Sequence, residues 1–293
     1  MSFLSYLLSG LALGSVYAII ALGYTMVYGI AKMLNFAHGD IIMVGGYVAF
    51  YAFSYFNFPS YLCIILTIVF CGLLGVIVEK LAYKPLRQAS SLSVLITAIG
   101  VSDFLQNAAQ LLFGSDTKIF PALLADGSFK LFDGQLVIPY LTVITILVCL
   151  LIMIGLTLFI NKTKIGKAMR ACAEDKGAAQ LMGINVNTTI SITFAIGSSL
   201  AAVASILLCC TYPSLSPTLG SMPGIKAFTA AVFGGIGSIP GALLGGILLG
   251  IIENLTKAYI STQLSDAIVF AVLIVVLLIK PTGLLGKKEN EKV

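Results

Sequence analysis

The sequence predicts an all-α, polytopic integral membrane protein, a single transmembrane domain over residues 1–293 with about eight to ten transmembrane or re-entrant helices. Three observations carry that reading. The 293-residue chain is 59% hydrophobic and 10% charged, with a mean hydropathy of +1.05, whereas soluble domains carry about a quarter charged residues. Its apolar residues come in blocks, several of them ~20 residues long, which is the length that crosses hydrocarbon. Lysine and arginine gather in some turns and avoid others, which orients the chain.

Residues 3–22 form a first full span, without the basic leader and small-residue cleavage site of a signal peptide, and so read as a retained helix. A short apolar piece over 24–34 ends in the polar break Asn35-Phe36-Ala37-His38-Gly39-Asp40. Spans over 41–56 and 61–81 follow, and Lys80, Lys84 and Arg87 around Pro85 mark a cytoplasmic turn. The next span, 92–113, leads to a loop over 114–137 in which Asp116, Asp126 and Asp133 balance Lys118 and Lys130, so this loop is expected outside. Residues 138–160 return to the cytoplasm and 189–210 leave it, with Tyr212-Pro213 and Ser216-Pro217 as the outer turn. A short stretch over 225–233 ends in a glycine-rich break, Gly234 to Pro240, before the spans 242–255 and 267–279. Lys280, Lys287, Lys288 and Lys292 place the C-terminus in the cytoplasm.

The two ends share a layout of full span, short piece, break and two further spans, a weak internal repeat in which Gly39-Asp40-Ile41-Ile42 corresponds to Gly241-Ala242-Leu243-Leu244. Interrupted segments at corresponding places in two halves point to a transport path. Broken backbone at membrane depth also requires protein or a wet cavity around it. The candidates for a path or gate are therefore Asn35, His38, Gly39, Asp40, Lys226, Gly234, Gly235 and Gly237. For His38 and Asp40 the competing reading is a satisfied polar turn at the cytoplasmic surface. Glu253 and Lys257, four apart in the favourable order, read as a structural ion pair. Asp103, Gln106 and Asn107 form a polar stripe expected to face other helices rather than lipid. Gly72/Gly75, Gly245/Gly246 and Gly250 suit close helix packing or an interface with a second subunit.

Between the spans, residues 161–186 are dominated by the helix formers Ala, Met, Lys, Arg, Glu, Gln and Leu taken together, lack proline, and read as a folded cytoplasmic helix. On a continuous helix Lys167, Arg170, Glu174 and Leu181 share one line, while Ala168, Cys172, Asp175, Ala179 and Met182 share another. Asp175 among small neighbours is either a charged handle for a docking protein or an acid paired with a nearby lysine in a solvated loop. On the docking reading, Asp175→Arg is expected to uncouple transport or prevent assembly while sparing membrane insertion.

Three runs resemble one family: GYTMVYGIAKMLNFAHGD from Gly23, RACAEDKGAAQLMGINV from Arg170, and GIKAFTAAVFGGIGSIPGALLGG from Gly224. They are similar to the LivH-type permease subunits of branched-chain amino-acid ABC importers, over nearly the whole chain. The resemblance implies that residues 161–186 hold a coupling helix, with Gly166, Lys167, Arg170, Ala171, Glu174, Asp175, Ala178, Ala179, Met182 and Gly183 at the ATPase interface. It also implies a second permease of the same family, two cytoplasmic ABC ATPase subunits, an external or periplasmic substrate-binding protein, and residence in the bacterial cytoplasmic (inner) membrane.

No G-x-x-x-x-G-K-[ST] loop occurs, so ATP hydrolysis is expected in partner subunits, and the chain itself is expected to be no enzyme. One histidine and six cysteines without a C-x-x-C pair argue against a metal site, a disulfide framework or a cofactor. The net charge of +5 arises from cytoplasmic segments and is no argument for nucleic acid. Within the transporter class the open alternatives are a permease for urea, amides, other amino acids or a sugar, and a proton-coupled carrier built on His38, Asp40, Asp103 and Glu253. An intramembrane enzyme lacks a catalytic constellation.

Overall fold

A computed structural model of the chain describes residues 2–124, 127–131 and 136–286. The helices are α1 (Ser2–Ala31), α2 (His38–Ser54), α3 (Ser60–Val78), α4 (Ser91–Phe113), α5 (Tyr140–Lys162), α6 (Lys164–Glu174), α7 (Lys176–Leu181), α8 (Val186–Thr211), α9 (Ser221–Gly234), α10 (Ile239–Tyr259) and α11 (Ser265–Ile279). Among the described residues, α1, α3, α4, α5, α8 and α10 are long and apolar enough to cross a membrane. The chain is thus an all-helical polytopic membrane protein. Asp126, Asp133, Lys287, Lys288 and Lys292 lie outside the described residues.

The expected short piece over 24–34 is not a separate element. Residues 2–31 form one helix that runs through Gly23. Glycine is tolerated there because intrahelical hydrogen bonds have no water to compete with them in hydrocarbon. The space its missing side chain leaves is filled by His38 and by the Gly197 carbonyl. The helix stops at Lys32, which takes a left-handed φ of 56°, and residues 32–37 run without regular structure before α2 starts. Residues 212–220 play the same part between α8 and α9.

Helix directions reveal how the two halves relate. α1 lies antiparallel to α10, with Gly10 against Ile251 and Gly14 against Ile247, and α3 lies antiparallel to α8, with Gly72 against Ser199 and Gly75 against Ser198. α2 runs parallel to α8, the Ser205 hydroxyl donating to the Ile42 carbonyl at 2.6 Å while Gly46 meets Cys209. In the same way α9 runs parallel to α1, pairing Tyr24 with Phe228 and Gly29 with Gly237. The units α1–α3 and α8–α10 therefore exchange contacts reciprocally, with α4 against α2 matched by α11 against α9. An inverted repeat has this plan. It replaces the expected correspondence of Gly39 with Gly241: α2 matches α9, and a Cβ on Gly39 would stand 2.6 Å from the Gly220 carbonyl oxygen. The glycine-rich contacts at Gly72, Gly75, Gly246 and Gly250 are all spent within the chain, on α8 and α1.

The loop over 114–137 contains structure that composition did not announce. Strands β1 (Ser128–Leu131) and β2 (Leu136–Pro139) pair antiparallel. Lys118 forms a bridge with Leu215, so this loop covers the segment leading into α9.

Candidate functional site

Two places in the fold carry the sequence-predicted residues. The first is the meeting point of the N-termini of α2 and α9. Asp40, two residues into α2, is level with Ser102 and Gln106, the middle of α4, and the neighbouring Ile41 carbonyl is level with Cys71 in the middle of α3. The two short helices thus begin at mid-depth and run toward opposite sides. Neither N-terminus has a side-chain cap. His38 is buried and stacks edge-on against Tyr24 with ring centroids 4.6 Å apart. Asn35 is buried and accepts from the Tyr83 hydroxyl at 2.8 Å. Asn35 and His38 thus shape the break, and neither belongs to an exposed turn.

Between α2, α4 and α9 lies a cavity of about 280 Å³, lined by Tyr24, Gly39, Asp40, Ser102, Gln106 and Ser221 among others. Asp40 is 2% exposed and accepts from the Gln106 amide at 2.8 Å. The expected Asp103–Gln106–Asn107 stripe is split. Gln106 turns inward, while Asp103 and Asn107 are exposed because α4 packs through Val94, Ala98 and Ala109 on the other side.

The remaining path candidates lie elsewhere. Lys226 is shut into an ion network: its ammonium is 2.8 Å from Glu253 and 2.7 Å from Asp266. Lys257 adds the expected pair to Glu253 at 2.6 Å, and the Tyr17 hydroxyl donates to the same carboxylate at 2.9 Å. Gly234, Gly235 and Gly237 sit at the opposite end of α9, where Gly235 and Gly237 have φ of 106° and 91° and the Leu285 amide donates to the Gly234 carbonyl at 2.8 Å. Glu79 was not singled out from the sequence. It is fully buried, accepts from the Ser191 hydroxyl at 2.6 Å and pairs with Arg87. An acid next to a basic turn was the available signal.

The second place is the α6–α7 segment. The expected single helix is broken at Asp175, whose backbone is extended (φ −157°, ψ 113°). Its carboxylate accepts from the Gly177 and Ala178 amides at 2.8 and 3.0 Å, the N-cap of α7. The continuous wheel that put Asp175 on a face with Ala168 and Cys172 therefore does not exist. Replacing Asp175 with Ala is expected to cost α7 about 1 kcal/mol and speed exchange of its amide hydrogens about fivefold, with Asn largely preserving protection. Equal protection in the Ala variant would remove the capping role.

Gly166 and Ala179 are buried and Ala171 half-buried, so these three support the segment rather than face a partner. Lys167, Arg170, Glu174, Ala178, Met182 and Gly183 are exposed. Leu181, which periodicity aligned with the charged residues, is 91% exposed and Met182 83% exposed. Gly183 turns the chain with φ of 81°, and the Ile184 amide reaches back to the Ala179 carbonyl at 3.0 Å, a C-terminal cap that only a left-handed residue makes without strain. Lys176 donates to the Ala31 carbonyl at 2.7 Å, tying α7 to the last turn of α1. Burial pushes its ammonium below the ordinary lysine range, and the nearby Arg87 and Lys32 add to this.

Comparison with known proteins decides the lineage. Residues 6–277 match the family described as branched-chain amino acid transport system / permease component. The chain belongs to this permease family. It is 47% identical to the high-affinity branched-chain amino acid transport system permease protein BraD of Pseudomonas aeruginosa, over 99% of this chain and 98% of the relative. It is 45% identical to the corresponding LivH of Escherichia coli K12, with the same two coverages. Among solved structures, PsaBC from Streptococcus pneumoniae in complex with Fab aligns with a TM-score of 0.51 at 15% identity, covering 96% of this chain and 93% of that one. That likeness concerns the fold of the permease alone.

Proposed function

We propose that this permease is the translocation subunit of an ATP-driven importer for leucine, isoleucine and valine in the bacterial cytoplasmic membrane. It works with a second permease of its family, two cytoplasmic ABC ATPase subunits and an external substrate-binding protein. Its own residues perform no catalysis. Family membership supports the solute class, and the single structural observation that carries the mechanism is the α6–α7 segment: an exposed Leu181–Met182 corner linked by Lys176 to the end of α1.

Closure of the ATPase dimer on ATP pushes on that corner. The Lys176 contact passes the movement to Ala31, and from there to residues 32–37 and the N-terminus of α2. Rocking of the two repeat halves then opens the path alternately to each side. The ion network around Lys226 and Glu253 keeps α9, α10 and α11 moving as one body. The binding protein supplies most of the selectivity.

Purification of the tagged chain from gently solubilised membranes tests the reading. It should recover an ATPase and a second permease, with ATP turnover stimulated by a leucine-loaded binding protein. A chain that comes out alone, moves solute in liposomes and needs only a proton gradient would replace this function with a proton-coupled carrier.

A further inference from the structure

We propose that the cavity between α2, α4 and α9 is a transit site that takes the primary ammonium group of the solute on Asp40. This rests on the reading of the chain as an amino-acid permease and adds a specific residue and solute group to it.

α9 carries the buried ionisable side chain Lys226 and α2 carries His38 and Asp40; His38 packs against Tyr24 and does not line the cavity. Lys226 on α9 is matched by Glu253 and Asp266 and does not line the cavity. Asp40 on α2 lines it. The groups around Asp40 are Tyr24 of α1, Ser102 and Gln106 of α4 and, across the cavity, Ser221 of α9, while the exposed Asp103 adds only a like charge from outside the cavity. None of these is basic. An acid at mid-depth needs a counter-charge or a wet path, and among the described residues no counter-charge from this chain is placed there.

Two features offset part of the cost that burial places on the charged carboxylate, and a cationic solute group would offset the rest. Asp40 lies in the first turn of α2, where the helix field stabilises an anion, and the Gln106 amide donates to it. The same amide nitrogen is 3.3 Å from the Ser221 hydroxyl and 3.4 Å from that of Ser102, which fixes its orientation. An ammonium brings three donors and no acceptor. A carboxylate with two hydroxyls beside it is the complementary set, as the hydroxyl oxygens also accept. Leu95, Ile99 and Ile225 supply an apolar wall for an aliphatic side chain, and Ile99 and Ile225 are themselves exposed. A cavity of about 280 Å³ is at the small end for ligand sites, which suits a single amino acid.

The test uses the assembled importer carrying Ile225→Cys, at the exposed rim of the cavity, with alkylation of that cysteine by a small maleimide followed by peptide mass. Leucine and isoamylamine, which has the ammonium and no carboxylate, should each slow alkylation several-fold. Isovalerate, which keeps the branched chain and lacks the ammonium, should not. With protection read as the ratio of alkylation rates without and with amine in the same variant, Asp40→Asn should abolish protection by both amines and Asp40→Glu should restore it. Protection by isovalerate equal to that by isoamylamine, or full amine protection in Asp40→Asn, would overturn the assignment.

The two readings can fail separately. Normal leucine uptake without amine protection would remove the site and leave the importer. Amine protection in a complex that imports no branched-chain amino acid would keep the ammonium site and remove that solute.

Discussion

Replacing Leu181 and Met182 together with aspartate is expected to abolish recovery of the ATPase with the permease, by about a thousandfold in apparent affinity, while the chain still inserts and folds. Two adjacent apolar side chains, 91% and 83% exposed on a turn held by the Asp175 cap and Gly183, have no packing role to lose. Buried interface anchors of this kind cost about 2 kcal/mol or more each when removed, and every 1.4 kcal/mol is tenfold. The charged neighbours Lys167, Arg170 and Glu174 sit where rim contacts would lie, and their single substitution should change salt dependence more than affinity. Quantitative co-purification against the unaltered chain measures the effect. Undiminished recovery of the ATPase by the double variant would mean that docking uses another surface, and would also dismiss the corner as the point where force enters.

Removing Glu253 is expected to destabilise the chain strongly. The Glu253→Ala chain leaves Lys226, with 8% side-chain exposure, in apolar surroundings with Asp266 as its remaining carboxylate, and it strips Tyr17 of its acceptor. Breaking a buried pair in this way costs about 3–5 kcal/mol, enough to lower the thermal midpoint in detergent by many degrees and to cut the yield of folded chain. Lys226→Met combined with Glu253→Gln should recover most of the loss, because both charges then leave the interior together. A midpoint unchanged in Glu253→Ala would show that the network does not hold α9, α10 and α11 together.

The spans, their order and the basic segment between them were readable because hydrocarbon imposes length and charge rules on every crossing. The breaks at residues 35–40 and 234–240 were readable as well, since glycine and polar residues interrupt an apolar run only where protein or water satisfies the backbone they free. What failed were the separate piece over 24–34, which continues α1 through Gly23, and relations between distant residues. Periodicity assigned Asp175 to a helical face, yet its side chain satisfies two amides of the helix that follows, a local competition that a continuous wheel cannot represent. Lys226 was grouped with the path, although Glu253 and Asp266, 27 and 40 positions later in the sequence, claim it in space. Glu79 drew no attention beside its lysines, and Leu181–Met182 stood out only once their exposure was known.

By itself, the sequence determined that this is a polytopic helical membrane protein, which segments are apolar enough to cross and which basic segment stands outside the hydrocarbon, because local hydropathy and charge are enough to settle each of these; that it is a permease was legible only through the three runs that resemble one family. Tertiary structure alone decided that α2 and α9 are matched half-helices whose N-termini meet at mid-depth, that Lys226 is closed off, and that Asp40 faces a cavity. Those outcomes depend on which helices pack together, through glycine contacts and ion pairs and hydrogen bonds spanning up to 248 residues, the separation of Tyr6 from Asn254. No local pattern records such pairings.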